Sequence, residues 1–236
     1  MDGPSTTQDL CFFDFETTGL TKSCKLKCAV FLWDTEIRVF YTIAETAEYI
    51  LSLPTTVYYV GWNSMAFDFR FLIDRIPNQD GLMQARLAMI ALHRHYDLML
   101  DFTTDHGYYA SMDSVGTLLG ATKTWNGKDA SESVDLPAVV AYCCADVNVL
   151  KTIWLSAMTT GFLKRKTAGG RCRVWVLSKW ATIRTPMQCM RAFNQAPPDQ
   201  SWMTGSTAPN IKSMVEWATA LIETAIGGPQ EITHGI

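Results

Sequence analysis

Apolar residues fall into short continuous runs in the first 60 positions and into wider helical stripes afterwards. Residues 10–13 (LCFF) are apolar throughout and pass through Asp14, Phe15 and Glu16 into Thr17, Thr18 and Gly19. This pattern predicts a buried strand closed by a turn. Residues 29–33 (AVFLW) and 37–43 (IRVFYTI) predict two further strands about a turn at Asp34, Thr35 and Glu36, forming an antiparallel meander. A helical stripe over 44–53 stops before Pro54, and 56–60 (TVYYV) predicts a fourth strand ending at Gly61.

The stretch 63–76 begins as a loop and becomes a helix through Phe67, Phe71, Leu72 and Ile76, ended by Pro77. A second helix is predicted over 82–93 and a fifth strand over 96–100. A short helix over 112–119 is capped by Ser111, or by Asp113 if it starts later, and stopped by Gly120. Polar residues 121–134 read as a loop. The longest stripe, 136–162, carries Pro137 where a first helical turn tolerates it. Beyond Gly169 and Gly170 come a strand over 173–177, a Pro-, Ser- and Thr-rich loop over 196–210 and a closing helix over 211–226. Three strands, a helix, a strand, helices, a strand and a long helix make an α/β architecture. The organisation expected is one domain over 1–163 and an extension over 164–236.

Composition narrows the class. Of 236 residues, 48% are hydrophobic and 18% charged, which leaves ample material for a core. No run approaches the roughly 18 consecutive apolar residues of a membrane span, so no membrane partner is expected. The polar, acidic start MDGPSTTQDL lacks the layout of a signal peptide. Seven cysteines, two of them adjacent at 143 and 144, read as reduced thiols in a cytoplasmic, reducing compartment. Cys24 and Cys28 have no second Cys/His pair nearby to complete a zinc site.

Charge is unevenly divided. Residues 1–163 hold 11 Lys/Arg and 19 Asp/Glu, net −8, whereas 164–191 hold eight Lys/Arg and no acid. An acidic body beside a basic segment fits a metal centre next to a phosphate-binding surface. Trp175 and Trp180 interleave with those cations, as single-stranded nucleic acid would require. A packed extension with core tryptophans and solvated cations reads equally well.

The candidate chemistry lies in three motifs. In a strand, Asp14 and Glu16 share a face; two carboxylates side by side are costly to bury without a cation between them. Asp68 follows the strand ending at Gly61 and falls on a first helical turn, where the helix dipole tolerates a carboxylate. Asn63, in the same stretch, is placed to bond a backbone group or a substrate sugar. Tyr142 and Asp146 lie four apart on a helix and share a face. Asp97, Asp101 and Asp113 fit no motif and read as structural.

In order, Asp14-x-Glu16, Asn63-x-x-x-Phe67-Asp68 and Tyr142-x-x-x-Asp146 resemble the three exonuclease motifs of the DEDD superfamily in its Tyr-containing, DnaQ-like branch (DEDDy). VGWNSMAFDFRFLIDR, residues 60–75, is similar to the exonuclease domain of B-family DNA polymerases. The resemblance covers roughly 9–160 and implies a ribonuclease-H-like mixed five-stranded sheet, strands 1–3 antiparallel, flanked by helices.

It also implies a 3′→5′ exonuclease using two Mg²⁺ or Mn²⁺ ions. Asp14 would bridge both ions, Glu16 and Asp146 would complete the site of the ion that binds the attacking water, and Asp68 would hold the second through water. Tyr142 would orient the nucleophilic water. Thr17, Thr18, Leu20, Asn63 and Phe67 would meet the terminal nucleotide. The implied partners are single-stranded nucleic acid with a free 3′ end, DNA before RNA, and a polymerase or a replication or repair complex. The alternatives are a binding subunit on the same fold and, more weakly, an endonuclease.

Overall fold

The computed structural model describes residues 9–19, 21, 23–121, 125, 127–167, 169–176, 183–199 and 210–227. The chain runs β1 (Leu10–Thr17), β2 (Leu26–Trp33), β3 (Glu36–Phe40), α1 (Ile43–Ser52), β4 (Tyr58–Gly61), α2 (Asp68–Ile73), α3 (Gly81–His93), β5 (His95–Asp97) and α4 (Leu98–His106). It continues with α5 (Met112–Gly116), α6 (Gly127–Glu132), α7 (Leu136–Thr160), β6 (Phe162–Lys166), β7 (Cys172–Val176), α8 (Pro186–Gln195) and α9 (Ile211–Ile226).

Strands β1 to β5 form one sheet in the order β3-β2-β1-β4-β5. β1 pairs antiparallel with β2 and parallel with β4; β2–β3 is antiparallel and β4–β5 parallel. This is the mixed five-stranded sheet with an antiparallel meander that the sequence predicts. β6 and β7 form a separate antiparallel hairpin.

The pleat of β1 sorts its side chains. Cys11, Phe13 and Phe15 enter the core layer shared with α1, α2, α3, α8 and α9. Phe12 enters the other layer, with α4 and α7. Strand alternation therefore turns Asp14 and Glu16 toward α7. Phe13 anchors the first layer, 1% exposed, with ring centroids 5.3 Å from Phe69 and 5.8 Å from Phe31. Truncating such a side chain costs about 3–5 kcal/mol. α7 is the one described helix long and apolar enough to cross a membrane by length and composition. Here it is a core helix: Val139, Cys143, Val147, Leu150, Ile153 and Trp154 are all buried.

The structure departs from the predicted elements in several places, and the third strand ends at Phe40, short of the predicted 37–43, because α1 begins at Ile43. The fifth strand is only three residues long, and 98–106 are helical. Asp97 causes the switch, because its carboxylate accepts from the Met99 and Leu100 N–H groups and caps α4. The predicted loop over 121–134 contains α6. α7 stops at Thr160, because Gly161 is left-handed (φ 71°) and releases the chain into β6. α8 was not predicted, although Thr185-Pro186-x-Gln188 carries its start signals; the Thr185 N–H donates to Gln188 Oε1 at 2.8 Å. Ser111 is the cap of α5, accepting from the Ser114 N–H at 3.2 Å.

The extension packs on the body. Ile211, Val215 and Ala218 of α9 and Cys189 of α8 are buried in the Phe13 layer. Trp175 is 1% exposed and sits edge-on to Phe102 at 5.0 Å, so it is a core residue and not a base-stacking platform. Arg184 is drawn out of the basic segment's surface charge into ion pairs with Asp101 and Asp105. Trp180 and Lys179 lie outside the described residues.

Candidate active site

Asp14, Glu16, Tyr142 and Asp146 line one cavity of about 740 Å³, together with Thr17, Asn63 and Phe67. The two acids come from the α7-facing side of β1; Tyr142 and Asp146 come from one face of α7, which crosses that side of the sheet. Glu16 is 8% exposed and Asp146 3%. The Tyr142 hydroxyl hydrogen-bonds Asp146, and burial, followed by the charge of Asp146, raises its pKa far above the ordinary phenol value. Tyr142 is therefore a neutral phenol at neutral pH.

Asp68 lies beneath this floor, 3% exposed and outside the cavity lining. The Phe15 N–H donates to its Oδ1 at 3.0 Å. Burial, and next the charge of Asp14, pushes its pKa well above the carboxylate range. Thr18 does not line the cavity. Its Oγ1 accepts from the Lys25 N–H at 2.9 Å and serves the turn after β1. Leu20 lies outside the described residues.

The loop between β4 and α2 is held by a buried carboxylate. Asp97 accepts from the Asn63 and Met65 N–H groups, both at 2.9 Å, as well as from the start of α4. Asn63 adopts φ 60°, which places it at the cavity wall. Gly61 is required here: a Cβ would fall 2.1 Å from Ser64 Oγ. Ser64 Oγ in turn bonds His95 Nε2 at 2.7 Å, and His95 Nδ1 lies 3.3 Å from the Ala91 carbonyl. With Nδ1 donating to that carbonyl, the ring is neutral and Nε2 accepts.

Burial lowers the His95 pKa to about 3. The unfolded chain takes up this proton near the ordinary value of 6.5 while the native state refuses it. His95 therefore contributes stability present above pH 6.5 and lost as pH falls toward 3. Between pH 7 and 5 the native protein should lose about 2 kcal/mol more than a His95→Gln variant, measured by urea unfolding. Parallel pH profiles for the two proteins would show that His95 protonates in the fold.

Several cavity residues were not singled out from sequence. Asp113, assigned there as structural, lines the mouth, and Lys128 and Ser131 of α6 line the opposite side. α6 is pinned by Lys27, whose ammonium donates to the carbonyls of Ala130, Ser131 and Ser133 at 2.6–2.8 Å. A cation there satisfies helix-end carbonyls. Cys143 is also new: its thiol donates to the Asp14 carbonyl at 3.3 Å and to Asp14 Oδ2 at 3.4 Å. The side chains touching Asp14 follow from the crossing of α7 over β1, which no local pattern encodes.

Ligand atoms of Asp14, Glu16 and Cys143 all lie within 4.8 Å of one another. Burial raises the Cys143 thiol well above its ordinary pKa, and the two carboxylates are the hard oxygen donors of the group. Such a set, with Asp146 beside it, fits a hard divalent cation such as Mg²⁺ or Mn²⁺. Seven described cysteines are all free thiols.

Residues 11–154 match a family model described as RNase_H superfamily, and this span includes every candidate acid. A comparison with curated proteins gives no match.

Proposed function

The chain belongs to the RNase H superfamily, and from that premise we propose that it is a 3′→5′ exonuclease of the Tyr-containing DEDD type. It would release nucleoside 5′-monophosphates from single-stranded ends, DNA before RNA. The superfamily supports the coarser statement, a nuclease-type phosphodiester hydrolase acting on nucleic acid with divalent metal. One observation carries the finer one: two acids of β1 and the Tyr142–Asp146 pair of α7 converge on one cavity above Asp68. Residues 1–163 are assigned the catalysis, and 164–236 a supporting extension.

Divalent ions bound by the carboxylates would supply a hydroxide-like nucleophile and stabilise the leaving oxygen. The chain's own groups do the rest. Asp14, Glu16 and Asp146 would provide the negative charge that holds the ions, and Asp68 would join them once a cation lowers its raised pKa. The Tyr142 hydroxyl, fixed by Asp146, orients the attacking water. Asn63 and Phe67, on the loop clamped by Asp97, bound the space for the terminal nucleotide. The Cys143 thiol lies within hydrogen-bond reach of one Asp14 oxygen.

A closed substrate tests the exonuclease assignment. With Mg²⁺, linear single-stranded DNA should shorten from its 3′ end while a circular single strand of the same sequence stays intact. Cutting of the circle at a comparable rate would mean an endonuclease on this fold.

A further inference from the structure

The catalytic cavity does not end at Asp113. Ala110, Ser111 and Asp113 also line a second hollow of about 380 Å³, whose far side is Arg165, Lys166 and Thr167. Arg165 and Thr167 also line a third hollow of about 620 Å³, with His106, Tyr108 and Arg173. The three share walls in sequence, making one trough from the acid cluster to the β6–β7 hairpin.

Charge reverses along it. Residues 162–176 hold Lys164, Arg165, Lys166, Arg171 and Arg173 and no acid. Among the described residues no carboxylate pairs with any of these five. Arg165 and Arg173 are direct cross-strand partners, and like charges in that position destabilise a hairpin. The fold nevertheless holds Arg165 in place. Its guanidinium stacks 4.8 Å from the Tyr108 ring centroid and 5.4 Å from that of Phe102, and Nη2 donates to the Tyr108 hydroxyl. A planar cation fixed by aromatic faces beside a second arginine is a built anion site. One further group suits a ligand there. Tyr109 is 45% exposed in the second hollow, where a base can stack on it.

We propose that the trough along the β6–β7 hairpin binds the single strand upstream of its 3′ end, with phosphates on Arg165, Lys166 and Arg173 and a base on Tyr109. The occupant rests on the nuclease reading; the path rests on the hollows and the charge. The hairpin would make the protein a grip on several nucleotides, while the cavity acts on the last one.

Binding without turnover separates the two. A 5′-fluorescein-labelled single-stranded oligonucleotide of about 12 nucleotides, within the usual range for such grooves, is titrated in EDTA and followed by anisotropy at several salt concentrations. Arg165→Ala/Arg173→Ala should weaken binding at least tenfold and flatten the salt slope by about 1.4, two phosphates at 0.7 each. Because Arg165 packs on two rings, exposed Lys166→Glu serves as the second variant; it should weaken binding several-fold with an unchanged thermal midpoint. Wild-type affinity and salt slope in a folded Lys166→Glu protein would overturn the trough. So would equal binding of duplex and single strand. Arginine-dependent binding by a protein that hydrolyses nothing would leave the trough standing and remove the nuclease reading; hydrolysis with hairpin-independent binding would do the reverse.

Discussion

Asp14→Asn should abolish hydrolysis, lowering turnover by at least about a thousandfold, roughly 4 kcal/mol of transition-state stabilisation. The change keeps size, removes one charge and turns one acceptor oxygen into an NH2 donor. That charge reaches the whole site: it contributes to the raised pKa values of Asp68, Tyr142 and Cys143. Without it the carboxylate set loses the member grouped with Glu16 and the Cys143 thiol within 4.8 Å, and cation affinity falls with the donor charge. Removing it also takes a charge out of a partly buried acid cluster, so the metal-free variant should unfold no lower in temperature than wild type. Release of nucleoside monophosphates and a thermal melt check both halves. A folded Asp14→Asn protein that hydrolyses at the native rate would take the acid cluster out of the mechanism.

Arg184→Ala should cost about 3–5 kcal/mol of stability, because it strands a buried charge. The Asp101 side chain is 2% exposed, and burial raises its pKa to about 6 even with the guanidinium beside it. Arg184 Nε meets Asp101 Oδ1 at 2.6 Å, and Nη2 reaches the Asp101 carbonyl at 3.1 Å and Asp105 Oδ1 at 2.7 Å. This cluster joins α4 to the chain just before α8 and so fastens the extension to the body. Removing both charges together, Arg184→Met with Asp101→Leu, should cost far less than the single change, since no deeply buried ion is left unpaired and Asp105, 31% exposed, is met by solvent. Urea unfolding of the three proteins gives the answer; a loss below 1 kcal/mol for Arg184→Ala would show that Asp101 is solvated or neutral in the fold.

The parts of the fold that were legible in sequence are those written in local pattern. The run at 10–13 and the alternation through Glu16 fixed β1 and put Asp14 and Glu16 on one face. The four-residue spacing of Tyr142 and Asp146 needed only the helical period. Elements set by a single side-chain contact were harder. The apolar stretch at 96–100 satisfies a strand pattern, and only the Asp97 cap turns it into α4. α6 is short and polar, and it owes its place to Lys27, about a hundred residues earlier in the chain. The site followed the same division. The acids stood out because carboxylates in those positions need a reason, whereas Cys143 against Asp14 depends on how α7 crosses the sheet and Asp113 beside the cavity on how α5 packs against α7. The basic segment split three ways: Arg184 is structural, Trp175 is core, and the hairpin cations face a hollow. Net charge along the sequence does not distinguish those fates.

The central claim is metal-dependent removal of nucleotides from a 3′ end. Its most direct test incubates 5′-labelled single-stranded DNA and RNA oligonucleotides with Mg²⁺, Mn²⁺ or EDTA, comparing wild type with Asp146→Ala. The prediction is a ladder shortening from the 3′ end with either metal, stronger on DNA, and absent with EDTA and in the variant. No metal-dependent ladder on either substrate, from a folded protein, would contradict it.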